Sequence, residues 1–64
     1  MANLRFTIFA DGFETRKSGK FETAIEVAVK LARKYQGHVV SVTDALGQVG
    51  ESYICHPDGV VTPA

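Results

Sequence analysis

The sequence predicts an α+β fold, a two-layer sandwich in which one amphipathic helix packs on an antiparallel sheet. One segment, around residues 23–37, has the period, start signal and stop signal of a helix, and the segments on either side read as strands. A single helix with a broad apolar arc needs one apolar face of a sheet to cover it. The predicted order is ββαββ, so the sheet has four strands, or five if residues 60–62 add another. The 64 residues are expected to form one small domain, 1–64.

The helix is predicted from Ala24 to Gln36. Thr23 and Glu26 have the spacing of a capping box, and Gly37 can adopt the left-handed conformation that ends a helix. Polar side chains, Glu26 among them, occupy the arc opposite the apolar one. The apolar arc consists of Ala24, Ile25, Val27, Ala28, Val29, Leu31, Ala32 and Tyr35.

Residues 3–10 alternate between apolar and mostly polar side chains, which predicts a half-buried strand. Phe6 then points to the core and Phe9 to the outer face. A register slip would exchange these two phenylalanines, and the sequence leaves both alternatives open. The core-facing set is Leu4, Phe6, Ile8 and Ala10, and the outward-facing set is Arg5, Thr7 and Phe9.

Asp11-Gly12 predicts a two-residue type I′ hairpin turn, followed by a return strand over residues 13–17. In that register Ile8 faces Thr15 and Ala10 faces Phe13. Glu14 and Arg16 would then share the outer face with Phe9.

After the helix, residues 38–43 and 51–56 are predicted strands, because they are rich in β-branched and aromatic side chains. Residues 44–50 contain two glycines and are predicted to form a loop. Pro57-Asp58-Gly59 is a tight-turn sequence, since proline presets φ and glycine accepts the left-handed position. Val60-Thr62 is the candidate fifth strand.

Charge and composition exclude several classes of protein. Seven basic and seven acidic side chains give a net charge of zero, which argues against a general nucleic-acid binder and against an acidic DNA mimic. The charges are uneven: residues 1–34 carry seven cations and four anions, hence +3, and the remainder carries three anions, hence −3. This asymmetry indicates either a dipole without a role or a protein with one basic and one acidic surface. The chain shows no membrane-length apolar run and no signal-peptide layout, so we expect a cytoplasmic location and no membrane partner.

No catalytic site, metal site or cofactor site is predicted, and we do not expect an enzyme. Cys55 and His56 are adjacent in a predicted strand, so their side chains point to opposite faces and do not converge on one ion. A single cysteine also rules out an internal disulfide.

Three binding hypotheses follow. The first is a protein-binding surface on the open face of the sheet, where an aromatic side chain between arginines has the composition of an interface anchor. Tyr53 would join it if its face matches. The second is a nucleic-acid surface formed by the basic side chains, and the third is self-association, for example a homodimer, through exposed edge strands. The predicted protein-binding residues are Arg5, Thr7, Phe9, Glu14 and Arg16. The predicted nucleic-acid-binding residues are Lys17, Lys20, Lys30, Arg33 and Lys34, with Arg16 beside them.

The run from Phe21 to Ala28, continued by Gly37 to Val42 and a short hairpin, resembles very small α+β proteins of phages and other mobile elements. Small anti-CRISPR proteins are among them. The resemblance covers roughly residues 21–60 and rests on the order of helix and strands, so it assigns no role to any residue. It implies a non-enzymatic inhibitor that covers a surface of a larger host protein or ribonucleoprotein complex.

Overall fold

The computed structural model describes residues 5–10 and 12–64, without the side chain of Val49. Its elements are β1 (Phe6–Ala10), β2 (Glu14–Ser18), α1 (Phe21–Lys34), β3 (Val40–Thr43), β4 (Val49–Cys55) and β5 (Val61–Pro63). The strands form one five-stranded sheet in the order β2-β1-β3-β4-β5, and every neighbouring pair is antiparallel. The predicted α+β sandwich is confirmed, and the fifth strand is present.

The core lies between α1 and one face of the sheet. Ala24, Ala28 and Ala32 are completely buried, and their small side chains let the helix backbone approach the strands closely. Leu31 is the large buried side chain of the helix. The sheet contributes Ile8 and Ala10 from β1, Val40 and Val42 from β3, and Cys55 from β4.

The helix begins earlier than the sequence predicts. It starts at Phe21, Lys20 is the N-cap residue, and no side chain caps it, so the predicted capping box of Thr23 and Glu26 is wrong. Two interactions set the start instead. The Ser18 hydroxyl bonds both the N–H and the C=O of Lys20, at 3.3 and 3.1 Å, and the Phe21 ring packs edge-on against Phe6 with 5.5 Å between centroids.

The helix ends at Lys34, and the turn that follows ties it to the sheet. Gly37 has a φ of +83°, which confirms the left-handed conformation predicted for it. Its N–H donates to the carbonyl of Cys55 at 3.0 Å. The end of α1 is therefore anchored on β4, the strand that lies beyond β3 in the sheet.

The register of the first hairpin also differs from the prediction. Ala10 pairs with Glu14 and Ile8 pairs with Arg16, so three residues rather than two separate β1 from β2. The Phe13 N–H donates to the carbonyl of Ala10 at 2.9 Å. The predicted type I′ geometry involves Asp11, which lies outside the described residues.

The alternation along β1 is confirmed where it is described. Ile8 and Ala10 are buried, Phe6 packs against them, and Phe9 points to the opposite side. Of the two registers that the sequence left open, the structure has Phe6 inside and Phe9 outside.

Two turns connect the later strands, and an aspartate stabilises each. The Asp44 carboxylate accepts hydrogen bonds from the N–H groups of Leu46 and Gln48, at 2.9 and 3.0 Å. The Asp58 carboxylate accepts one from the N–H of Val60 at 3.0 Å, within the tight turn predicted there. The first turn is shorter than predicted, because β4 begins at Val49 rather than at residue 51. In the part of the chain that the structure describes, no helix is long and apolar enough to cross a membrane.

Leu31→Ala should lower the free energy of unfolding by about 3 kcal/mol, because it leaves a cavity between helix and sheet that the neighbouring alanines cannot fill. Urea denaturation followed by circular dichroism measures the change. Leu46→Ala is the matched control: Leu46 is 83% exposed in the turn between β3 and β4, so the same truncation should change the free energy by about 0.5 kcal/mol or less. Equal losses in both variants would contradict the described core.

Candidate functional site

No described element covers the side of the sheet that faces away from α1, and we call this side the open face. In antiparallel strands, directly paired residues point to the same side, so the registers decide which side chains lie there. The open face consists of Thr7 and Phe9 on β1, Thr15 and Lys17 on β2, Ser41 and Thr43 on β3, Ser52 and Ile54 on β4, and Thr62 on β5.

Phe9 occupies the middle of a row of hydroxyl side chains. Its cross-strand partners are Thr15 on β2 and Ser41 on β3, and Ser41 in turn pairs with Ser52 on β4. The hydroxyl oxygens of Ser41 and Ser52 are 3.3 Å apart. A shallow depression of about 400 Å³ lies beside the ring, towards the hairpin loop and Phe13. Phe9 is thus a half-buried aromatic side chain next to a concave surface.

The open face carries almost no charge. Lys17 is the only charged side chain among its described strand residues, although charged residues make up 22% of the chain. Arg5 lies directly before β1 and is exposed. Depletion of charged residues is a feature of the core of protein–protein interfaces, where aromatic side chains such as Phe9 are common.

The β5 end of the open face is more apolar than the middle. Ile54 pairs with Thr62, and the Thr62 hydroxyl is 2.7 Å from Nε2 of His56. Val39 and Val60, at 45% and 52% exposed, precede β3 and β5 directly. This part of the surface was not predicted from the sequence. The alternation of side chains along β4 could have placed Ile54 on the open face. The sequence did not show which strands pair with β4, and so did not show which residues surround Ile54.

Two residues predicted for the open face lie on the other side of the sheet. Glu14 and Arg16 pair with the core residues Ala10 and Ile8, and so point towards the helix layer. The prediction was wrong because it assumed one loop residue fewer, and a shift of one residue exchanges the two faces of a strand. Tyr53 also points to the helix side, since it pairs with the buried Val40. Of the five predicted residues, Thr7 and Phe9 share the open face, and Arg5 adjoins β1.

Glu14 links β2 to the C-terminal end of the helix. Its carboxylate accepts hydrogen bonds from Nζ of Lys34 at 2.9 Å, from the hydroxyl of Tyr35 at 2.7 Å and from Nε of Arg16 at 2.5 Å. These donors favour the charged carboxylate, with Lys34 contributing most, and lower the pKa of Glu14 to about 2. The same contact raises the pKa of Lys34 above its usual value.

The aromatic residues of the hairpin loop and the helix end pack on each other beside this carboxylate. The ring of Phe13 stacks on Tyr35 with 4.8 Å between centroids and meets His38 edge-on at 4.7 Å. Phe13 is still 53% exposed. These contacts and the Glu14 hydrogen bonds hold the hairpin against the helix, which is a structural role.

The predicted nucleic-acid-binding residues do not form one surface. Lys17 points to the open face, whereas Lys34 is bound to Glu14 on the helix side. Lys20 and Lys30 are separated along the helix by about 15 Å. Lys30 and Arg33 lie together on the outer surface of α1.

The cysteine and histidine residues do not assemble a reactive site. Cys55 is completely buried, and its thiol donates to the carbonyl of His56 at 3.6 Å. Over residues 5–10 and 12–64, no group of three or more His, Cys, Asp or Glu side chains is placed to hold a metal ion.

Comparisons with protein-family models, with curated protein sequences and with solved structures find no match for this chain.

Glu14→Gln should make the melting temperature less dependent on pH in acidic solution. Because the pKa of Glu14 is lowered in the folded protein, its ionised carboxylate stabilises the fold. This contribution to stability is present above the unfolded-state pKa of 4.5 and is lost as the pH falls towards about 2. The melting temperature of the variant should therefore be lower than that of the parent near neutral pH, and the difference should close towards about pH 2.

Glu22→Gln is the matched control, because Glu22 is exposed in the first turn of α1 and forms no ion pair with any described residue. Thermal unfolding of the three proteins from about pH 2 to pH 7 makes the comparison. A difference between the parent and Glu14→Gln that does not change with pH would contradict the ion-pair role.

Proposed function

We propose that this protein is a non-enzymatic protein-binding module whose open face docks on a larger protein or ribonucleoprotein complex. The observation that supports the proposal most is the composition of that face, in which hydroxyl side chains surround Phe9 and Lys17 is the one charge among the described strand residues. Short hydroxyl side chains lose little conformational entropy on docking and can donate and accept hydrogen bonds.

A protein partner explains the open face better than a nucleic acid does. Affinity for nucleic acid comes largely from several cations that neutralise phosphates, and sheet faces that bind single strands add aromatic side chains on which bases stack. The described part of this face offers one lysine and one phenylalanine. Of the other basic side chains, Arg5 lies directly before β1, Arg16 and Lys34 are bound to Glu14, and the rest belong to the helix or its N-cap.

The open face is also a better candidate for the docking surface than the edges of the sheet. The edge strand β2 carries Glu14, Arg16 and Lys17, and such charges discourage pairing with another strand. The other edge strand, β5, has only three residues and ends in Pro63, which lacks an N–H donor. Self-association through the edges is therefore the less favoured hypothesis.

Such a module can act as an inhibitor. This is the role that the resemblance to small anti-CRISPR and other phage proteins implies. In that role this small module would cover a surface of the host complex that another molecule needs. We place this role in the cytoplasm, together with the proposed partner complex.

Phe9→Thr should weaken partner binding by about 30-fold or more, which is about 2 kcal/mol, because it removes the aromatic anchor. Threonine keeps the preference for strand structure and matches the neighbouring hydroxyl side chains, so the fold should persist. The partner is first captured from a cell lysate on the immobilised protein, with and without nuclease treatment, and identified by mass spectrometry. The affinity of the purified partner is then measured for parent and variant.

Leu46→Ala serves as the control, because it also removes a large exposed apolar side chain but lies in the turn between β3 and β4. It should bind the partner as the parent does. Capture that is lost on nuclease treatment would point to nucleic acid instead. Equal affinities of the parent and Phe9→Thr would rule out the open face as the docking surface.

A further inference from the structure

A second surface lies on the helix layer, away from the open face. The outer side of α1 carries a groove of about 310 Å³, which we call the helix groove. It is lined by Ile25, Glu26, Val29, Lys30 and Arg33. The described contacts of the open face and of Glu14 involve none of these residues.

The floor of the helix groove is apolar. Ile25 and Val29 are four residues apart and so lie one above the other on the helix. Both are only half-buried, although Ile25 also packs against the core. The helix therefore holds two neighbouring β-branched side chains in place, and each leaves apolar surface in contact with solvent.

The rim of the helix groove carries two cations and one carboxylate, and the cations form no ion pair within the described structure. Lys30 and Arg33 form no ion pair with the residues at 5–10 or 12–64. Lys34, on the opposite flank of the same helix, is bound to Glu14. Glu26 borders the groove and Glu51 points to the helix side of β4, yet neither of them pairs with Lys30 or Arg33.

The geometry points to a second docking site: the helix groove binds an acidic, amphipathic segment of a partner protein. One or two apolar side chains of that segment would pack on Ile25 and Val29. Its carboxylates would pair with Lys30 and Arg33, the latter through the two parallel hydrogen bonds that a guanidinium can donate. Charge complementarity to two unpaired cations is what selects an acidic segment.

Nucleic acid and anionic membranes fit this groove less well. A phosphate backbone would pair with the two cations but would leave the apolar floor without a partner. An anionic membrane is bound by helices rich in Lys and Arg with a long apolar face, whereas this groove offers two cations and two half-buried apolar side chains. An acidic segment with apolar residues matches both the floor and the rim.

The helix groove and the open face lie on opposite sides of the sandwich, so one chain can engage both at once. This inference does not depend on the proposed function. Loss of binding at one surface should leave binding at the other unchanged, and variants on the two surfaces separate the two claims.

The test is a selection from a displayed library of random peptides of about 16 residues, long enough for about four helical turns. The parent protein should enrich peptides that combine Asp or Glu with large apolar residues. Affinities of the best peptide are measured by fluorescence anisotropy. The double variant Lys30→Glu, Arg33→Glu should bind it about tenfold more weakly or worse. Lys30→Gln, Arg33→Gln should lose affinity to a smaller extent, which keeps the test valid if charge reversal disturbs the helix.

Lys17→Glu, Lys20→Glu is the matched control, with the same change in net charge at positions outside the groove. This control should keep most of the affinity for the peptide. In amide NMR spectra of the parent, the peptide should shift the signals of residues 25–33 and leave the signals of β1 unchanged. Three outcomes would overturn the proposal: no enriched acidic peptide, equal loss in the control, or shifts confined to the sheet. A single-stranded oligonucleotide that binds the groove more tightly than the peptide would likewise overturn it.

Discussion

Among the described residues a single helix provides the second layer, and it can cover only one side of the five-stranded sheet. The fold depends on the close contact that Ala24, Ala28 and Ala32 permit, because their small side chains let α1 lie against the strands while Leu31 fills the space beside them. The core is therefore thin and lies on one side. The opposite side of the sheet has no partner within the described chain, and its side chains are free to serve another purpose.

The distribution of charge follows from the same arrangement. Most of the charged side chains lie on the helix layer and in the turns, and β2 directs Glu14 and Arg16 towards the helix rather than towards the open face. Glu14 accepts hydrogen bonds from Lys34 and Arg16, whereas Lys30 and Arg33 form no ion pair with any described residue. One sandwich thus presents a hydroxyl-rich surface with little charge on one side and an apolar groove flanked by Lys30 and Arg33 on the other. Because these two surfaces differ in chemistry, we propose a different partner segment for each.

The sequence was sufficient for the fold class, the order of the elements and the alternation of Phe6, Ile8 and Ala10, because each of these depends on local periodicity. It was not sufficient for the hairpin register: Asp11-Gly12 suggests a two-residue turn, but the packing of Phe13 on Tyr35 and His38 accompanies a three-residue loop. Because the loop has one residue more than predicted, Glu14 and Arg16 point to the helix side of the sheet. The helix start was also misjudged, since Ser18 and the Phe6–Phe21 contact act across the sheet and the turn. The strand order, which places Ile54 and Thr62 on the open face, depends on long-range pairing that no local pattern shows.

The proposed function requires an open face that is uncovered in the isolated protein and centred on Phe9. The most direct measurement is NMR signal attenuation by a soluble nitroxide, read for side-chain protons on both sides of the sheet. The account predicts strong attenuation for Phe9, Thr7 and Ser41, and protection for Ile8, Val42 and Leu31. Protection of Phe9 equal to that of Ile8 would show that a second copy or another segment covers this face, and would contradict the account.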